Sequence, residues 1–331
     1  MRTRIKTMKW TGLMALVALA SCAEGKELPA ATKMVSITTG LTFPFGANQG
    51  YGCLSGAPVV CAEGTSTQNL YPQVTIALEP FAIDEHEVTN LQYQYCVDAG
   101  KCHDVRGGNS MGRDVYYDDA QFAQFPVVNV TWDDAQQYCA FVGARLPSEA
   151  EWERAAKGPG DDIFPTSEVT LAKPLDCVGQ LNLQGCGESG LNRAVMDSPE
   201  DAVDEGGGAK VYDMAANVAE WTGSDWAPLN FTCADTPECV AKQCPACDTD
   251  EDPDTVCFAQ CETYICLGHD LSIAFTEAEL FPSSGADKAY RGAHSATRKE
   301  ALCTLLASER GQRDSRTKAQ PFLGFRCAKS L

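Results

Sequence analysis

Apolar residues occur along the chain in short runs, separated by loops rich in Gly, Pro and Asn. The run Val74–Leu78 is typical of these and is predicted to be a strand. Another segment has apolar residues at helical spacing, which predicts an amphipathic helix with Cys139 pointing inward. The shared face of that helix carries Trp132, Ala135, Cys139 and Val142. Together these patterns predict an α+β fold that is rich in loops.

Three helix starts carry the signature of a capping box, in which a Ser or Thr precedes a Gln, Asp or Glu by three positions. The pairs are Thr89 with Gln92, Thr131 with Asp134, and Ser148 with Glu151. The first helix is predicted to end at Gly100 and the third at Gly158, because glycine readily adopts the left-handed conformation that follows a last helical turn.

The first 21 residues have the pattern of a bacterial signal peptide, with a basic start and a short apolar stretch. The apolar stretch is too short to span a membrane as a stable helix. It ends in Leu19-Ala20-Ser21-Cys22, which resembles the lipobox of bacterial lipoproteins, in which Cys22 becomes the lipid-modified N-terminus. Ordinary secretory cleavage near the same position is the alternative.

The lipobox predicts how the mature protein is anchored. Residues 22–33 would form a polar tether, and residues 34–331 an ordered body held at a membrane through the lipid on Cys22. In bacterial lipoproteins, Ala23 after the cysteine favours the outer membrane, on its periplasmic or its surface-facing side.

Composition and charge narrow the possible functions. With 331 residues, of which 44% are hydrophobic, the chain can bury a substantial core as one large domain or two modest ones. The formal net charge is −19, and no dense block of Lys and Arg occurs. Because nucleic-acid binding depends on a cationic surface, a nucleic-acid partner is excluded.

The cysteines agree with export. The chain has 17, so that removing Cys22 leaves an even number, in a compartment where disulfides persist. Three pairs are close enough in sequence to form short bridges, and seven further cysteines lie within residues 233–266. The close pairs are Cys53 with Cys61, Cys96 with Cys102, and Cys177 with Cys186.

Six segments follow one another in the order of a known family pattern. They are Ile83–Asn90, Phe125–Ala135, Arg145–Gly158, Val211–Trp221, Arg291–Ala293 and Gly324–Cys327. Together they resemble the formylglycine-generating enzyme family, also called the sulfatase-modifying-factor domain. The resemblance covers residues 34–331 and implies a single domain with a loop-rich, C-type-lectin-like variant fold. It also implies a disulfide between Cys139 and Cys327. Residues 230–270 have no counterpart in the family and are predicted to be a cysteine-rich insertion.

Active members of this family oxidise a cysteine of a substrate protein to formylglycine, with oxygen and a copper(I) ion held by two thiolates five residues apart. Soft thiolate ligands favour copper(I). When the family pattern is aligned from Cys327, Arg298 takes the first thiol position and Cys303 the second. When it is aligned from Arg291, Thr297 takes the first position and Leu302 the second. Neither alignment provides two thiols.

Cys303 has two possible roles. It could be the partner that the odd-numbered cysteine cluster needs, or a reactive thiol. A disulfide is the prediction for an exported protein with an even number of cysteines. The four histidines do not have the spacing of a metal site; they are His86, His103, His269 and His294.

The resemblance also implies a calcium site. Asp213 and Glu220 align with side-chain ligands, and Ala216 and Val218 with ligands that act through their backbone carbonyls. Two carboxylates and two carbonyls suit calcium, which takes several oxygen ligands. A capped turn with a solvated Glu220 is the alternative.

The sequence therefore predicts a lipid-anchored, non-catalytic binding or scaffold protein whose partner is an unidentified protein or glycan. Glycan binding rests on fold analogy alone. The alternative function is a copper-dependent oxidoreductase that makes formylglycine, in which Cys303 would be catalytic.

Overall fold

The computed structural model of the protein describes residues 32–46, 74–160, 162, 164–165, 181–184, 191–226, 274–280, 287–297 and 313–331. The predicted calcium ligands and four of the cysteines lie within these ranges. Other predicted features lie outside the described residues. They are the leader with Cys22, the pairs Cys53/Cys61 and Cys177/Cys186, Arg298, Cys303 and the insertion at 230–270.

The described helices are short. They are α1 (Asn90–Asp98), α2 (Trp132–Phe141), α3 (Glu149–Lys157) and α4 (Glu277–Leu280), with one turn of 3-10 helix at Ala120–Phe122. The capping boxes predicted for α1, α2 and α3 are all present, with reciprocal side-chain and backbone hydrogen bonds. Gly100 and Gly158 follow α1 and α3 with φ angles of 65° and 66°, which confirms the predicted helix ends.

The inward face of α2 was predicted correctly except at its last position. Trp132, Ala135 and Cys139 are buried, but Val142 is 37% exposed. The helix ends at Phe141, and Val142 is its C-cap residue with φ −86° and ψ 8°. Because the backbone leaves the helical path there, the side chain no longer continues the buried face.

The strands form one three-stranded, one four-stranded and two two-stranded sheets. β1, β4 and β11 make an antiparallel sheet, and a second sheet has the order β10-β7-β8-β9, with β10 parallel to β7. β2 pairs with β3, and β5 with β6. The bounds are β1 (Met34–Ile37), β2 (Thr42–Phe45), β3 (Val74–Ala77), β4 (Phe81–Asp84), β5 (Ala202–Gly206), β6 (Ala209–Tyr212), β7 (Ala219–Asp225), β8 (Asp287–Arg291), β9 (Arg313–Ser315), β10 (Leu323–Phe325) and β11 (Ala328–Ser330).

Helix α3 lies entirely inside the protein. All nine of its residues are buried, although five of them carry charged side chains. Its apolar residues, among them Trp152 and Ala155, pack in a core with residues of β1 to β4 such as Phe45 and Ile76. The charged residues alternate with this apolar set, so the surrounding strands and loops must supply a partner for each charge.

Those partners come from distant parts of the chain. Arg154 forms an ion pair with Glu205 of β5 at 3.0 Å and donates hydrogen bonds to the carbonyls of Thr39 and Gly40. Lys157 pairs with Glu153 of the same helix at 3.1 Å and also donates to the carbonyl of Gly46 at 3.2 Å. The charges of α3 thereby hold β5 and the segment at the start of β2 against the helix.

A second core joins α1 and α2 to the sheet that contains β7 and β10. Tyr93 of α1 stacks on Tyr138 of α2 at a centroid distance of 5.8 Å, and both rings contact Phe325 edge-on. Trp221 of β7 packs in the same core and donates to the carbonyl of Val130. This core fixes the C-terminal strands against the two helices.

Two predicted disulfides are present among the described cysteines. Cys139 of α2 is bonded to Cys327, with a Cα–Cα distance of 5.5 Å. Cys96 of α1 is bonded to Cys102, with a Cα–Cα distance of 5.3 Å. The first bond joins α2 to the segment between β10 and β11 within the second core.

The short helices, small sheets and long connections make up the α+β, loop-rich fold that the sequence predicted. In the described ranges, every helix is too short or too polar to cross a membrane.

The Cys139–Cys327 bond closes a loop of 188 residues, whereas Cys96–Cys102 closes one of six. Loop entropy in the unfolded chain predicts losses of about 5 and about 2 kcal/mol when the two bonds are removed. Replacing Cys139 and Cys327 by Ala should therefore lower the free energy of unfolding more than replacing Cys96 and Cys102. Chemical denaturation of both double variants measures this difference, and equal losses would contradict it.

Candidate functional site

The candidate site begins where β8 ends, at the fully buried Arg291. Its guanidinium donates to Glu149 and Glu153 of α3, both at 2.9 Å. The next residue, Gly292, has φ +81°, and a Cβ there would lie 3.2 Å from the ring of Trp152. The loop that resembles the family's copper-binding segment therefore begins directly after β8, at a residue that α3 holds in place, and its first residue is a glycine.

Residues 292–297 form a closed turn. The amide of Thr297 donates to the carbonyl of His294 at 2.7 Å, and the hydroxyl of Thr297 accepts from the amide of His294 at 3.1 Å. The turn is tied to two other loops, because Ser295 donates to the carbonyl of Asn217 and Gln184 donates to that of Thr297. Thr297, which takes the first thiol position in one alignment, offers a hard oxygen that does not favour copper(I).

His294 is the residue of this turn with an unused polar atom. Its ring stacks on Phe322 at a centroid distance of 4.5 Å, and its Nδ1 is buried without a hydrogen-bond partner among the described residues. Burial lowers the pKa of His294 to about 4, so that the imidazole is neutral at physiological pH. The sequence analysis missed this role, because neither the stacking nor the burial leaves a signal in the spacing of histidines.

Asn217 connects the loops that surround the turn. Its side-chain oxygen accepts from the amide of Arg193 at 2.9 Å and from Asn182 at 3.2 Å. Its side-chain nitrogen donates to Glu87 at 3.1 Å. The residue is buried and has φ +76°, in the left-handed region that Asn tolerates better than most residues. One amide therefore holds four chain segments together.

The predicted calcium ligand Glu220 is bound to an arginine. Both of its carboxylate oxygens accept from Arg326 at 2.7 Å, and one also accepts from Trp152 at 2.9 Å. All three side chains are buried. The alternative of a solvated Glu220 is wrong, because β7 places this residue inside the protein.

Asp213, the other predicted carboxylate ligand, belongs to a buried acidic cluster that we define as Glu87, Asp201 and Asp213. Burial raises the pKa of Asp213 to about 6, although it accepts a hydrogen bond from the amide of Met196 at 2.7 Å. Burial and the neighbouring Asp213 raise the pKa of Asp201 to about 8, and the same two causes raise that of Glu87.

This cluster concentrates three carboxyl groups in the interior. In the described residues, Oε2 of Glu87 is buried without a hydrogen-bond partner, and the charge of Arg326 acts on all three carboxyl groups. Surplus buried carboxylate fits a hard cation such as calcium. Glu220 does not fit as it stands, because a metal ion would have to displace Arg326. In the described part of the chain, no group of three or more His, Cys, Asp or Glu side chains is arranged to hold a metal ion.

Comparisons with known proteins agree with the fold and the motifs. Residues 21–331 match the family described as the sulfatase-modifying factor enzyme 1-like domain. PvdO from Pseudomonas aeruginosa has a similar structure, with a TM-score of 0.54, 20% sequence identity and coverage of 91% of this chain and 95% of PvdO.

Two curated proteins are similar to this chain over part of their length. Serine/threonine-protein kinase Pkn1 of Chlamydia trachomatis serovar L2 is 30% identical over 191 residues, or 54% of this chain and 28% of the kinase. Inactive C-alpha-formylglycine-generating enzyme 2 of Bos taurus is 36% identical over 110 residues, or 31% of this chain and 34% of that protein. The matched segments thus span about a third or less of both relatives.

The acidic cluster predicts how stability depends on pH in the absence of metal ions. The folded protein holds protons on Asp213 up to about pH 6 and on Asp201 up to about pH 8, whereas the unfolded chain releases them near the usual value of 3.8. Because the folded state binds more protons, the free energy of unfolding should fall as the pH rises from about 4 to 8.

The variant Asp213→Asn should reduce this fall, because its amide can still accept from Met196 and carries no charge. We expect it to be more stable than the wild type at pH 8, by about 3 kcal/mol, and nearly equal to it at pH 4. Denaturation curves between pH 4 and 8 in a chelator measure both. A wild-type stability that rose over this range would contradict the prediction.

Proposed function

Because the chain belongs to the sulfatase-modifying factor enzyme 1-like domain family, we propose that it is a binding protein of this family without the family's oxidase chemistry. One observation carries the proposal: the segment from Arg291 to Cys327 contains a single cysteine before Cys327, namely Cys303. A linear bis-thiolate copper(I) site requires two. The similarity to an inactive formylglycine-generating enzyme supports a non-catalytic role.

The geometry of the loop after β8 also supports this proposal. The hydroxyl and the amide of Thr297 are both used to close the turn on His294. The turn is anchored to Asn217, which in turn holds the loop at Arg193. Loops fixed in this way by buried hydrogen bonds form a rigid surface, and a rigid surface loses little conformational entropy when it binds a partner.

The second candidate is a copper-dependent oxidoreductase that converts a substrate cysteine to formylglycine. The observation that favours it is the unpartnered Nδ1 of His294, since a neutral imidazole is a good copper ligand. In that case Cys303 and His294 would hold the ion, and copper would supply the oxygen chemistry. His294 itself would contribute an uncharged donor in an apolar setting beside Phe322.

Incubation with copper, oxygen and a cysteine peptide of the sulfatase type distinguishes the two functions. We expect mass spectrometry to find the peptide unchanged, because the domain lacks the second thiolate. Copper should bind the wild type no more tightly than it binds Cys303→Ser. Conversion of the peptide cysteine to the aldehyde, lost in both Cys303→Ser and His294→Ala, would establish the oxidoreductase instead.

We propose calcium as a structural cofactor of the loops that contain Asp213 and Asn217. Asp213 would provide a side-chain ligand and Ala216 and Val218 their carbonyls, and the unpartnered Glu87 oxygen supports a need for positive charge there. Glu220 would join only if Arg326 released it. The bound ion would lower the charge repulsion that raises the pKa of Asp201.

We also propose that the protein is a lipoprotein anchored through Cys22 to the outer membrane, facing the periplasm or the surface. The support is the leader with its lipobox at residues 19–22. A lipid anchor would hold the domain close to a membrane, where it could bind a protein or glycan of the cell envelope.

Replacing Cys22 by Ser in the full chain should release the protein from the membrane fraction, because the thiol that carries the lipid is absent. Fractionation followed by mass spectrometry of the N-terminus measures this. Wild-type protein recovered without lipid, with an N-terminus other than Cys22, would contradict the proposed anchor.

A further inference from the structure

Arg113 is a partly buried cation without a carboxylate partner in the ranges that the structure describes. Its guanidinium lies over two aromatic rings, 4.9 Å from the centroid of Phe122 and 5.3 Å from that of Phe125. In contrast, Arg316 and Arg145 are paired with Asp133 and Glu151. An unpaired arginine is conspicuous in a chain whose net charge is −19.

The guanidinium is held in place by buried polar residues. Its Nη1 donates to Asn192 at 2.6 Å, and Asn192 donates to the hydroxyl of Tyr116 at 2.7 Å. That hydroxyl donates to the carbonyl of Pro126 at 2.6 Å. Ser110 exchanges backbone hydrogen bonds with Arg113 and donates its hydroxyl to Asn192.

Most of the donors of Arg113 remain available. A guanidinium has five N–H groups in a planar fork that matches the two oxygens of a carboxylate. The described residues provide one acceptor, Asn192. The rings of Phe122 and Phe125 cover one side of the group without accepting a strong hydrogen bond. These contacts therefore hold the guanidinium of Arg113 in one orientation and leave most of its N–H groups without an acceptor among the described residues.

Two exposed apolar side chains lie on the segments that carry Arg113 and its partner Asn192. Val115, two residues further on, is 63% exposed, and Met196 is 40% exposed on the loop that also carries Asn192. Met196 has φ +60°, a strained conformation for this residue, and its amide is clamped by Asp213 at 2.7 Å. The loop is thus fixed in a position that turns an apolar side chain to solvent.

The same segment adjoins the turn at His294. Met111, two residues before Arg113, donates its amide to the carbonyl of Pro321 at 3.1 Å. Pro321 precedes Phe322, the residue on which His294 stacks. Arg113 and the turn therefore lie in segments that this backbone hydrogen bond connects, and we call the combined surface of the two segments the binding face.

We propose that Arg113 is the anion-binding residue of this face and that it binds a carboxylate side chain of a partner polypeptide, with apolar residues of the partner against Val115 and Met196. Charge complementarity to the unpaired guanidinium selects the carboxylate, and the exposed apolar flanks select a polypeptide over a small inorganic anion. This assignment rests on the proposed binding function and deepens it, since it names the chemistry of the partner.

The test uses two fluorescent peptides that differ in one group, Ac-Leu-Phe-Glu-Leu-NH2 and its Gln analogue. The wild type should bind the Glu peptide about tenfold more tightly, as a charge-assisted, bidentate hydrogen bond does. Arg113→Gln should bring the ratio close to one, and Arg113→Lys should keep some of it, because lysine retains the charge without the fork. The matched control is Arg316→Gln, which should leave the tenfold ratio unchanged.

Two further measurements test the geometry of the site. Met196→Gln should weaken both peptides equally, and the ¹⁵N resonance of Arg113 Nε should shift with the Glu peptide alone. A ratio near ten in Arg113→Gln, with only its melting temperature lowered, would mean that Arg113 merely packs against the rings and would overturn the inference. Binding of neither peptide, or complete displacement of the Glu peptide by inorganic phosphate, would overturn it as well.

The peptide experiment is independent of the oxidation assay. If the protein oxidised cysteine peptides but still distinguished Glu from Gln through Arg113, the proposed non-catalytic role would fail and the carboxylate site would stand. If it oxidised nothing and did not distinguish the peptides, the carboxylate site alone would fail.

Discussion

The buried ion pairs of α3 are the constraint on which the rest of this structure depends. A helix with Glu149, Glu153 and Lys157 inside a protein is stable only if every charge has a partner, because an unpaired buried charge costs several kcal/mol. Arg291 of β8 pairs with both glutamates, and Glu153 also accepts from the amide of Gly46 and pairs with Lys157. The helix therefore requires the strands around it, and they are held in place by its charges.

This requirement extends to the candidate site. The loop with His294 starts at Arg291, so its origin is set by α3, and Asn217 fixes its other side. Arg326 has a comparable role in the neighbouring sheet, where it neutralises Glu220 and also donates to the carbonyl of Tyr212. Both arginines are buried charges that bring together segments far apart in sequence. The loops of the site are consequently irregular in backbone and yet fixed in position.

Sequence reasoning succeeded where structure is decided locally. The capping boxes at Thr89, Thr131 and Ser148 involve residues three positions apart, and each is present. The pairing of Cys139 with Cys327 came from the family resemblance, because spacing alone cannot choose among so many cysteines. The partner of Glu220 lies 106 residues away, and periodicity carries no information on such a contact.

The candidate site was only partly predictable for the same reason. The motifs located Asp213 and the loop after Arg291, but not the surroundings that give these residues their properties. The neutral state of His294 follows from its burial, and the raised pKa of Glu87 follows from burial beside Asp213. The burial predicted for Val142 was wrong because α2 ends one residue earlier, at Phe141, and not because the apolar residues were misidentified.

The arrangement of β1 and β11 on either side of β4 has a consequence for modular evolution. Two strands that flank one central strand lie about 10 Å apart. β1 and β11 run in the same direction, so that Met34 and Ser330 lie in one small sheet, level with opposite ends of the four-residue β4. A unit whose first and last strands share one small sheet can be inserted into a longer polypeptide with short linkers and little disturbance of the host.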